Sequence, residues 1–163
     1  MKKMINRRAA MGLAAAAVFL LAPPAFAQTC EANALELRDN GASARFEIEL
    51  AITPAEQAKG LMYRESMPQF SGMLFIYDQP RSVSFWMKNT LIPLDMLFID
   101  SRGVVQRIQE NAEPLSTVPI PGGANIQYVL EINGGVSSML GFGVGAEIRY
   151  AGLSQENAAW PCE

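Results

Sequence analysis

The chain has 163 residues, with thirteen Lys and Arg against sixteen Asp and Glu, a net charge of −3, two cysteines and no histidine. With no imidazole, Ser-His-Asp and Cys-His catalysis and His-containing zinc sites are excluded, so chemistry must run on carboxylates, Lys, Arg, Tyr, Ser/Thr or a hard metal ion. The acidic balance argues against nucleic acid or anionic membrane as a partner, because both are held through clustered basic residues.

Residues 1–27 read as a secretory signal. Lys2, Lys3, Arg7 and Arg8 form a basic start, Met11 to Leu21 an apolar stretch, and Ala25-Phe26-Ala27 a small-x-small cleavage site. Cleavage after Ala27 would leave residues 28–163 as a single β-rich domain, long enough for a sizeable core. Nine basic residues would then face sixteen acidic ones, a balance of −7. Arg7-Arg8 raises the twin-arginine export route, although Ala9 and Ala10 fit that signal poorly. Thr29 before Cys30 fits a lipoprotein signal poorly as well. No other stretch reaches the roughly 18 apolar residues of a membrane span. The expected product is a periplasmic or secreted monomer. Cys30 and Cys162 bracket it and lack a C-x-x-C context, so they are expected to form a structural disulfide in an oxidising compartment.

Leu35 to Arg38 could be a strand, followed by turn chemistry at Asp39-Asn40-Gly41. Ala44 to Ile52 alternates, with Phe46, Ile48, Leu50 and Ile52 on one face and Arg45, Glu47 and Glu49 on the other. Thr53-Pro54-Ala55-Glu56 has the composition of a capping box and predicts a short helix from Pro54 to Lys59 or Met62. Gly60 to Met73 reads as a loop. Strands are expected over Met73 to Tyr77, Ser82 to Met87, Leu94 to Ile99 and Val104 to Ile108, with Asp78-Gln79-Pro80 as a turn between the first two. Glu110 to Ile126, with three prolines and Gly122-Gly123, reads as a long irregular connection. Tyr128 to Asn133 is a further strand, Val136 to Leu140 a short helix, and Glu147 to Tyr150 the last strand. The expected fold is mainly β (α+β), a small antiparallel barrel- or sandwich-like sheet with two short helices.

Four separated motifs then occur in order: GLMYRE at Gly60 to Glu65, GMLF at Gly72 to Phe75, FWMKNTLIPLDMLFID at Phe85 to Asp100, and VLEINGG at Val129 to Gly135. On these the chain resembles the bacterial and archaeal family called domain of unknown function 192, over about residues 35 to 150. The resemblance implies a compact, mainly β domain, often exported, and brings no activity or catalytic residue with it. Gly145-Ala146-Glu147 departs from the Gly-Asp that the family tends to show before the last strand.

The polar residues inside the apolar run Val83 to Asp100 are the strongest site candidates, because polar groups buried in such a run need partners. Asp95 would be costly as an unpaired buried carboxylate, and Arg64 and Lys88 are its expected partners. The expected ligand-binding set is Tyr63, Arg64, Trp86, Lys88, Asn89 and Asp95, with Glu110 to Ile126 as rim or lid. Glu131 is a second acid in a strand, and an Asp95–Glu131 pair in one cleft would suit a carboxylate-dependent hydrolase of envelope sugars. The leading expectation is non-catalytic binding of a small polar molecule or an envelope protein, with no catalytic residue and no cofactor. A purely structural or interaction module is the competing class. Met62, Met67, Met73, Met87, Met96 and Met139 raise copper(I) binding as a minor alternative, while core filling is the ordinary role of methionine; no metal site is expected.

Overall fold

The computed structural model describes residues 30–162; the expected signal segment and its cleavage site lie outside the described residues. Strand β1 (Ala34–Asp39) and strand β2 (Ala42–Ala51) form an antiparallel hairpin. Asn40 and Gly41 close it with φ of 43° and 89°, the left-handed conformation that a tight two-residue hairpin turn requires. The alternation in β2 buries Phe46 and Ile48 and exposes Arg45, Glu47 and Glu49. The strand stops at Ala51, so Ile52 does not join the inward face and is 52 % exposed.

Helix α1 (Pro54–Lys59) begins with the expected capping box. The Thr53 side chain accepts from the Glu56 amide, and the Glu56 carboxylate accepts from the Thr53 amide at 2.8 Å. Its residue Gln57 donates from the side-chain amide to the carbonyl of Ile76 at 2.8 Å, which docks the helix on strand β3 (Ser71–Phe85). That crossover makes β2 and β3 parallel, with Ile48 opposite Gly72 and Leu50 opposite Leu74. Parallel neighbours need such a connection, whereas antiparallel neighbours can be joined by a short turn. The sheet is therefore mixed.

Strand β4 (Leu94–Ile99) lies between β5 (Val105–Ala112) and β6 (Ile120–Asn133). Two expectations change here. Asp78-Gln79-Pro80 does not separate two strands, because β3 runs on past it against β6 through register shifts between Ile76 and Arg81. The stretch Glu110 to Ile126 is not a lid: β5 reaches Ala112 and β6 begins at Ile120, so only residues 113–119 connect them. Pro121 and Gly122-Gly123 sit where the β3–β6 ladder is already interrupted, a position in which a proline without an amide proton is tolerated.

Helix α2 (Val136–Leu140) follows β6, and β7 (Glu147–Arg149) pairs with β1. The strand order is β5-β4-β6-β3-β2-β1-β7. The two sheet edges meet at one end, where Val104 bridges Glu147, the Val105 amide donates to Ala146 at 2.8 Å and the Ile148 amide to Gly103 at 2.8 Å. The result is a half-barrel with apolar residues packed on both faces. Leu35, Leu37, Phe46, Leu97, Leu130, Ile132 and Ile148 fill one side; Phe75, Met73, Met96, Phe98 and Val129 fill the other. Where the family tends to have an acid before the last strand, Ala146 is fully buried and the neighbouring Glu147 pairs with Arg38.

Cys30 and Cys162 are joined by a disulfide across a sequence separation of 132 residues. In the chain-entropy model, closing a loop of that size stabilises the fold by about 5 kcal/mol. The bridge holds the C-terminal tail so that Trp160 stacks under the guanidiniums of Arg38 and Arg149, at 4.4 and 4.7 Å. Among the described residues no helix is long and apolar enough to cross a membrane.

Candidate functional site

The register between β4 and β6 decides the geometry of the two acids. Asp95 lies opposite Ile132 and Met96 opposite Glu131. Directly opposed residues share a face and successive residues alternate, so Asp95 and Glu131 point to opposite sides of the sheet. The expected carboxylate pair is not formed, and the two-acid hydrolase geometry is lost with it.

Asp95 is completely buried and fully occupied. It accepts from the amides of Asn111 (2.8 Å), Gly135 (2.8 Å) and Ser137 (2.9 Å), and from the Ser137 hydroxyl at 2.5 Å. Neither Arg64 nor Lys88 is its partner, contrary to expectation. A buried carboxylate does not require a cation when enough donors converge on it. Here the donors come from the end of β5 and the start of α2, so Asp95 ties both to β4.

Arg64 instead makes a two-pronged bond to Glu49 on the outer face of β2, both contacts 2.5 Å long. That interaction holds the Glu49 carboxyl below its ordinary range and raises the guanidinium further. It fastens the loop after α1 to β2, because the parallel crossover lays that loop beside the strand. Lys88 is placed over the Trp86 ring, its ammonium 5.2 Å from the centroid.

Glu131 has the opposite environment. It is 4 % exposed, and its in-register neighbours Met73 and Met96 carry no charge. No side-chain hydrogen bond reaches its carboxyl from the described residues, and its oxygens are not sealed from solvent but open to the cleft. Burial alone pushes its pKa up to about 8. The side chain lines a cleft of about 110 Å³, together with Gly60, Leu61, Met62, Phe75, Tyr77, Phe85, Trp86 and Thr90. Phe75 and Phe85 pack edge to face at 5.0 Å, which fixes the inner wall. Tyr77 is raised by burial, with Glu131 adding to the effect. Gly60 has φ +47°, and a Cβ there would meet Phe75 Cζ at 3.2 Å and lie 3.9 Å from Glu131 Oε2. The glycine thus lets the backbone pass directly beside the acid.

The rim is conformationally unusual. Tyr63, Asn89 and Leu115 are non-glycine residues at φ of 64°, 57° and 64°. The Tyr63 amide donates to the Asn89 carbonyl, the Asn89 side chain donates to the Tyr63 hydroxyl, both at 2.8 Å, and the Leu115 amide donates to Thr90 at 3.0 Å. Such left-handed positions are energetically costly, and they cluster at sites that must hold one geometry. Of the six expected binding residues, Trp86 lines the cleft, Lys88 lies over the Trp86 ring, Asn89 bonds Tyr63 and reaches the lining residue Met62, and Arg64 and Asp95 are engaged elsewhere.

A larger depression, about 690 Å³, lies between β1, β7 and Trp160. Its charges face one another: Arg38 pairs with Glu147 and Arg149 with Glu36. The methionines fall in two environments, four of them in or against the same core cluster. Met73, Met87 and Met96 are buried in the core, while Met62 and Met139 receive weak contacts from Asn89 and Gln69. Among the described residues no three acidic or cysteine side chains cluster to hold a metal.

Sequence reasoning did not single out Tyr77 or Gly60, and it counted Thr90 among the polar residues of the central run without placing it in the binding set. One signal was available for Gly60, a glycine directly after a capped helix. Glu131 was visible as an acid between Leu130 and Ile132, but not its isolation from Asp95.

Comparison with known proteins adds family membership. The model of the DUF192 family, described as "Uncharacterized ACR", matches residues 35–150. A solved structure from Sinorhizobium meliloti 1021, named a candidate transcription regulator, is 40 % identical with a TM-score of 0.73, covering 77 % of this chain and 98 % of the other. A protein of unknown function from Novosphingobium aromaticivorans DSM 12444 is 39 % identical with a TM-score of 0.69, covering 71 % and 82 %. No curated protein matches.

Proposed function

Because the chain belongs to the DUF192 family, which carries no assigned activity, we propose a function from the site itself: non-catalytic binding of a small polar molecule in the cleft above Glu131, by an exported protein. The observation that carries this reading is the Glu131 carboxyl, buried, without a partner and opening into a cleft. A carboxyl that meets solvent only through a cleft, in a mostly buried side chain, is the polar group that a molecule entering the cleft contacts. Trp86 and Tyr77 supply the walls, and Tyr63, Lys88 and Asn89 the rim. The terminal disulfide is compatible with a location outside the cytoplasm. A role in transcription regulation, the name carried by the S. meliloti relative, finds no support in the overall charge of −3 if it required holding nucleic acid.

A thermal-shift screen of small polar compounds on wild type, Glu131→Gln and Asp95→Asn tests this. The expected result is a ligand-dependent rise in Tm for wild type that Glu131→Gln loses without any fall in its baseline, while Asp95→Asn keeps the response from a lower baseline. A ligand response that survives Glu131→Gln in full would remove the cleft as the site.

A further inference from the structure

Resting on the cleft as a binding site, we propose that its ligand is a small amine, bound as the ammonium ion with Glu131 as counter-ion and the aromatic side chains of Phe75 and Phe85 around it. Three observations point this way. First, no cation pairs with the acid: no basic group contributes to its state, Lys59, which lines the cleft, is exposed and acts on Glu49, Lys88 lies over the Trp86 ring at 5.2 Å, and Arg81 lies over the Tyr77 ring at 5.5 Å. Tyr77 is the titratable group facing Glu131 from β3, and Met73 and Met96 beside it are neutral. Second, four of the lining residues are aromatic, Phe75, Tyr77, Phe85 and Trp86, and the Trp86 and Tyr77 rings already hold the cations Lys88 and Arg81, so the rings left for a ligand ammonium are those of Phe75 and Phe85. Third, about 110 Å³ admits a small aliphatic head group and excludes a sugar ring with its hydroxyls.

In the free protein near neutrality the carboxyl holds its proton; binding the ammonium requires the carboxylate, so one proton passes from Glu131 to solvent and no covalent bond changes. Apparent affinity then rises about tenfold per pH unit from pH 6 towards 8 and levels off above it. A neutral ligand that accepts a hydrogen bond from the protonated acid would show the reverse trend.

Calorimetric titration in phosphate with propylamine, 1-propanol, propionamide and propionate, at pH 6, 7 and 8, reads this directly. Propylammonium should bind with the stated pH dependence, the three isosteres should bind at least tenfold more weakly, and Glu131→Gln should abolish the preference. Should that variant fail to fold, the pH dependence of wild type alone decides. Equal or tighter binding of propanol, propionamide or propionate overturns the amine assignment while leaving the cleft as a binding site. Failure of all four probes overturns the amine assignment too, and the broader thermal-shift screen then judges the cleft separately.

Discussion

Asp95 and Glu131 sit on adjacent strands, one register position apart, and both are buried, yet they have opposite environments. Four donors converge on Asp95; none reaches Glu131. The first face is closed by the end of β5 and the start of α2, which bring backbone amides inward. The second is closed by apolar side chains and a glycine turn, which bring nothing a carboxylate can accept from. A buried acid is thus structural where the backbone folds round to meet it, and stands without a donor where it does not.

The largest break in this comparison should come from Asp95→Ala. Removing the acceptor strands the buried Ser137 amide and hydroxyl and the part-buried Asn111 and Gly135 amides, a loss on the order of 3–5 kcal/mol in unfolding free energy by denaturant titration. A loss below about 1 kcal/mol would show that the clamp contributes little.

A smaller and pH-dependent effect is expected at Glu131. Its folded pKa of about 8 lies above the ordinary carboxyl value, so between about pH 4.5 and 8 the folded state binds a proton that the unfolded state has released. The stability it contributes is complete below about pH 4.5 and is lost as pH rises through about 8. Glu131→Gln should match wild type near pH 5 and be more stable by a few kcal/mol near pH 9, in paired denaturant melts. Equal pH profiles for the two proteins would show that the acid is solvated or partnered in solution.

The smallest effect belongs to the exposed Arg64–Glu49 bridge. Arg64→Ala should cost about 0.5–1 kcal/mol, diminished by high salt, and should leave the Asp95 clamp intact. A cost comparable to that of Asp95→Ala would restore a structural link between Arg64 and the core.

Much of the local structure was legible. The capping box at Thr53 to Glu56, the alternation in β2, the β4 boundaries and the helix at Val136 all depend on neighbours a few residues away. Cys30 and Cys162 were paired by elimination, since no other thiol exists. The partner of Arg64 was not legible, because Glu49 comes within reach only after β2 and β3 align in parallel. Nor was the continuity of β3 through Pro80, which depends on how the β3–β6 ladder tolerates its register shifts.

The sequence by itself determined that two acids would lie inside apolar strands, because their flanking residues are apolar on both sides and burial follows from that pattern. Only the tertiary structure decided that they face apart. Strand pairing sets which residue stands opposite which, and because the side-chain period is two, a shift of one position would have sent Glu131 to the face of Asp95.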